Sequence, residues 1–190
     1  GENEEHAMDQ ALVELGLGDA RLIQAEGAML PMGFEPGMPQ DLPMGTLVEC
    51  HLAKAVVFSE GIASAGVAWA LCVTPECDEC AIVSTLAVQD TMEECEIELR
   101  RNLQRKLANR DLELRRDEED TIPLGVAVDE IEAQEGFHGV VLAALVLPNS
   151  LNLGGPGGPT RSRNLGISSI GGSAGGPSGL GGSGKTDFGF

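Results

Sequence analysis

The chain has 190 residues, 42% of them hydrophobic, which suits one domain of roughly 100–150 residues plus a tail. Its 30 Asp and Glu against 12 Lys and Arg give a formal charge of −18, which excludes most nucleic-acid modes and a polybasic grip on anionic lipid, because both need clustered cations. Aromatics at 3% argue against base-stacking platforms, and no apolar run reaches the roughly 18–20 residues that cross a bilayer.

Taken in chain order, His6 to Leu15 reads as a helix: Ala7, Ala11 and Leu15 fall four apart, Met8 and Leu12 flank them, and Gly16 and Gly18 end it. Ala20 to Gln24 reads as a short strand, followed by a loop through Pro31, Pro36, Pro39 and Pro43. Gly45 to Phe58, Ile62 to Val73 and Ala81 to Val88 are the next strands. Thr91 opens a second helix, with Glu94 three residues on as in a capping box. Its apolar positions are read as Ile97, Leu99, Leu103 and Leu107, and it ends near Asn109. Thr121 to Asp129 and Phe137 to Leu147 are the last strands, the latter a buried one by its unbroken apolar run. The order implies an α+β layered sandwich over residues 1–148. Residues 149–190 are rich in Gly, Ser, Pro and Asn and have too little apolar surface to order themselves, so a partner is expected to hold them or they stay disordered.

The five cysteines form an odd set without small-domain spacing, so an intracellular, reducing compartment is expected. Cys72, Cys77 and Cys80 have a spacing open to zinc or part of an iron–sulfur cluster. Asp78 and Glu79 would crowd anionic sulfurs, so a strand-to-strand turn set by Pro75 is the favoured reading and metal the weak one. His6, His51 and His138 are scattered and read as surface or satisfied histidines. Glu93, Glu94, Glu96 and Glu98 form a solvated, self-repelling face suited to a basic partner. No phosphate loop or nucleophile elbow is present.

Several runs together resemble the pyruvoyl-dependent arginine decarboxylase family. They are Gly1-Glu2, Ala7-Met8-Asp9-Gln10-Ala11-Leu12, Gly16-Leu17-Gly18, Leu22-Ile23, Leu42-Pro43-Met44-Gly45-Thr46-Leu47-Val48, Ser59-Glu60-Gly61-Ile62 and Gly139 to Leu147, in the family's order. The resemblance covers Gly1 to about Leu147 and implies a four-layer αββα sandwich assembled as a trimer, with sites between neighbouring subunits and the family's first strand upstream of Gly1. It also implies a chain that cleaves itself at a Ser–Ser bond and turns the second Ser into a pyruvoyl group, the electron sink for decarboxylation.

The positions that match the family's active site are Asp9, Leu12, Arg21, Glu26, Gly27 and Thr85, and most depart from it. Glu26 and Gly27 stand in the two serine places, Thr85 in place of the catalytic glutamate, and Arg21 in place of a pocket asparagine. Glycine has neither a hydroxyl to attack the preceding carbonyl nor a β-oxygen to eliminate, so no pyruvoyl cofactor is expected. Ser168-Ser169 in the tail is read as a chance imitation of the cleavage loop. The resulting expectation is a non-catalytic homologue in a homotrimer or mixed trimer, docked onto a larger protein assembly through its acidic surface and through tail anchors Leu165, Ile167, Ile170, Phe188 and Phe190. The alternatives are an active decarboxylase making agmatine, using an unconventional nucleophile such as Cys50 or Ser84, and a metal-binding accessory built on the cysteine cluster.

Overall fold

A computed structural model describes residues 1–38, 41–116 and 124–148, and the backbone of 168–173. The chain is mixed α+β, mostly sheet. Its elements are helix α1 (Glu4–Glu14), strands β1 (Arg21–Gln24), β2 (Leu47–Phe58), β3 (Ile62–Val73) and β4 (Glu79–Val88), and helix α2 (Met92–Ala108). Strands β5 (Glu113–Leu114), β6 (Leu124–Glu132), β7 (His138–Leu147) and β8 (Ser168–Ser173) complete it.

Both helices are set by local chemistry. Asn3 caps α1 by accepting from His6 N at 2.8 Å. The helix closes in a Schellman turn: Leu17 N donates to Leu12 O and Gly16 N to Val13 O, with Gly16 at φ +77°. Thr91 Oγ1 caps α2 by accepting from Glu94 N at 3.4 Å. The α2 stripe that packs inward is Cys95, Leu99, Leu103 and Leu107, a stride of four. Ile97, expected on that stripe, is 44% exposed, because two residues from Cys95 is about 200° around a helix.

One sheet runs β1-β2-β7-β8, with β1 parallel to β2 and the other pairs antiparallel. In the other, β3 pairs with β4 on one side and with β5 and β6 on the other, all antiparallel. Helix α1 packs on β7, α2 packs on β3 and β4, and the two sheets meet through β2, β3, β4 and β7. Strand β3 shows the division by alternation. Ala63, Ala65, Val67 and Leu71 join the core shared with β2 and β7, while Ala68, Ala70 and Cys72 join the α2 stripe. Strand β7 is buried from Gly139 to Leu147, as its apolar run predicts.

Strands β5 and β8 were not expected. Strand β8 falls within the stretch read as an extended tail, and its backbone pairs with Val141–Val146. The link from β1 to β2 also stitches the two sheets together. Ala25 N bonds Cys50 O in the first, while Val83 N bonds Ala28 O and Leu30 N bonds Ala81 O in the second.

Candidate functional site

The crossing from Gln24 to Ala28 roofs a cavity of about 430 Å³ beside the edge of β4 that faces away from β3. Its lining includes Glu26, Gly27, His51, Thr85, Lys106 and Arg110. Each arrives for a local reason. Leaving β1, the chain turns through Gly27 at φ +107°, a conformation that L side chains rarely adopt, before Ala28 and Leu30 bond to β4. Beyond that bridge the next edge carbonyl, Val83 O, accepts from Lys106 Nζ at 3.1 Å. Arg110, just past the end of α2, donates from Nη1 to Lys106 O at 3.1 Å.

The electrostatics follow from this packing. Burial lowers the Lys106 pKa below the ordinary lysine value, and the nearby Arg110 charge lowers it further. Burial also lowers the His51 pKa, against an opposing pull from Glu49 and with a further push from Lys106. His51 is therefore held towards its neutral form, at 4% exposure, in a cavity that already contains two cations.

Of the positions singled out from sequence, Glu26, Gly27 and Thr85 come together in this cavity. Asp9 and Leu12 do not: they line a second cavity of about 480 Å³, with Glu4, Glu5, Met8 and Lys54. Arg21, exposed on β1, lines neither. The site residues that sequence reasoning missed are His51, Lys106 and Arg110. His51 is buried at the cavity and is not a surface histidine. His138 departs from that reading, since among the described residues its Nδ1 is buried without a hydrogen-bond partner, as is Ser84 Oγ.

The cysteine cluster separates into a pair and an outlier. Cys72 and Cys80 are direct partners across β3 and β4, while Cys77 is exposed in the connecting turn and lines a different depression with Pro75 and Asp111. Among the described residues no group of three or more His, Cys, Asp or Glu side chains is arranged to hold a metal ion. No helix among them is long and apolar enough to cross a membrane. Of the proposed tail anchors, Leu165, Ile167, Phe188 and Phe190 lie outside the described residues, and Ile170 sits in β8 opposite Ala144.

No family model matches the chain, and no curated protein is significantly similar to it in sequence.

Proposed function

We propose that the chain is a non-catalytic relative of the pyruvoyl-dependent arginine decarboxylases, kept as a structural subunit. In this reading it is a four-layer αββα sandwich that assembles as a trimer and docks onto a larger protein complex.

One observation carries the proposal. The neighbours Glu26 and Gly27, and Thr85 far from them in sequence, are assigned to one site by resemblance and line one cavity. The packing of α1 on one sheet and α2 on the other supports the layered architecture. The separate cavity holding Asp9 and Leu12 fits a site completed between neighbouring subunits.

The same cavity lacks the means of decarboxylation. Nothing at residue 27 can attack the Glu26 carbonyl, and the Thr85 hydroxyl is a poor proton donor beside a tunable carboxyl. Lys106 and Arg110 would also repel a guanidinium group. These features favour a role in assembly, with the acidic surface meeting basic partners. Because Ser168–Ser173 pairs with β7, docking by the tail falls to its other residues.

Intact mass under denaturing conditions, on protein purified with whatever it binds, tests the proposal. One uncleaved chain with companion polypeptides in fixed ratio is expected. Two fragments, one trapped by borohydride in the presence of arginine, would overturn it in favour of the enzyme.

A further inference from the structure

The cavity beneath the Gln24–Ala28 crossing carries a charge pattern opposite to that of the chain as a whole. Acidic residues outnumber Lys and Arg by 30 to 12, yet two of those cations, Lys106 and Arg110, line this one space. Among the described residues neither forms an ion pair. The pairs present there are Lys54–Glu4, Arg100–Glu96, Arg101–Glu98 and Arg115–Glu79.

Among the described residues, Lys106 and Arg110 each make one hydrogen bond and leave their other donors without a partner. Lys106 donates to the Val83 carbonyl and Arg110 to the Lys106 carbonyl, both neutral acceptors. An ammonium has three donors and a guanidinium five. Compensation of the helix C-terminus accounts for Arg110 on its backbone carbonyl. It does not account for Lys106, whose ammonium leaves its own helix for the edge of β4 and loses water there. Glu26, the one carboxylate among the described lining residues, is exposed and forms no ion pair with either.

The other wall offers more donors. Among the described residues, the amide N–H groups of Glu26 and Gly27 have no hydrogen-bond partner, and Thr85 and Gln24, both with side-chain donors, also line the space. A volume of about 430 Å³ is that of a small-molecule site.

We infer that this cavity binds a small oxyanion, a phosphate or a carboxylate, seated between the Lys106 ammonium and the Arg110 guanidinium. The planar guanidinium fork matches either group with two parallel hydrogen bonds, and Lys106 supplies a second, compact charge. The inference stands on the cavity alone and not on the family reading, which the intact-mass experiment tests separately.

The test is titration of the full chain with inorganic phosphate, and separately with succinate, at low ionic strength, followed by amide NMR shifts and calorimetry. At least one anion should saturate, with shifts centred on Gln24–Ala28 and the C-terminal end of α2; which one does so identifies the group bound. Arg110→Gln should weaken binding about tenfold or more, as expected for loss of a charge-assisted hydrogen bond. Arg101→Gln removes the same charge from an exposed site within α2 and should leave affinity unchanged. Circular dichroism of each variant checks that the fold is kept. Absence of saturation with both anions, undiminished binding by Arg110→Gln, or equal weakening by Arg101→Gln would each overturn the inference.

Discussion

Cys72 and Cys80 face each other directly across β3 and β4, with their Sγ atoms 3.3 Å apart and both thiols free. Burial pushes the Cys72 thiol up to about 12, so attack on an external disulfide starts from the less buried Cys80. Oxidised glutathione should therefore join this pair and release two glutathione thiols, a loss of two protein thiols beyond the one that exposed Cys77 can lose to a mixed disulfide. Thiol titration in denaturant checks it. Cys72→Ser and Cys80→Ser should each abolish the paired loss.

Alkylation at mildly alkaline pH should label Cys77 first. It is exposed in the turn, while Cys50 and Cys95 are buried and their thiols are pushed up to about 11. Peptide mapping after brief iodoacetamide treatment gives the order, and early labelling of Cys50 or Cys95 would mean that the core opens locally.

Gly125 lies opposite Trp69 in the β3–β6 ladder, and a Cβ there would run into the indole ring. Gly125→Ala should cost about 1–3 kcal/mol by overpacking. Trp69, the chain's single tryptophan, also meets Phe34 edge-on at 5.6 Å, so its fluorescence reports the displacement directly. Gly27→Ser is a contrasting case. Nothing lies within 4 Å of the added Cβ, yet φ +107° strains it, costing on the order of 1–3 kcal/mol in a denaturant melt.

Much of this was legible in the sequence, and the gaps have physical causes. Helix α1 and strands β2, β3, β4 and β7 follow from periodicity and punctuation, because each carries a local pattern. Strand β5 is two residues long, and β8 contains Gly171 and Gly172, which have no side chain to mark a strand. His51 was opaque because both faces of β2 are covered, so Cys50, His51 and Ala53 are all buried and the polar alternation disappears. Lys106 and Arg110 read as ordinary cations near a helix end. Only the return of α2 over the edge of β4 turns them towards the cavity.

Stability should respond to pH through Asp129 and Glu14. Burial raises both carboxyls, and the Asp129 charge raises Glu14 further. The folded chain thus holds protons that the unfolded chain has released. The resulting stability is fully present below the ordinary values of 3.8 and 4.5, and is lost as pH rises through the raised ones. His51 works the other way: with its pKa lowered from 6.5, its contribution is lost as pH falls through that value towards the folded one. Asp129→Asn isolates the acidic limb. It should raise Tm at neutral pH, with the gain shrinking as pH falls into the carboxylate range.

Ending the chain at residue 148 removes β8 and bares the edge of β7 between Val141 and Val146, an apolar strand with open backbone groups. Sequence alone predicts unchanged melting for this truncation. The structure instead predicts self-association that rises with protein concentration, measurable by sedimentation velocity. A monodisperse truncated chain would show that β7 needs no cover.

The stitch between the sheets bears on what happens if the backbone is ever cut at its middle. On one side of the Glu26–Gly27 bond the polypeptide is laced to β2 from Arg21 to Ala25, and on the other Ala28 and Leu30 are laced to β4. Scission there would free no piece. The N-terminal fragment would remain docked by its own strand and helix, much as two halves of a complementing protein hold each other without a covalent link. The peptide bond at this point is one that the architecture can do without.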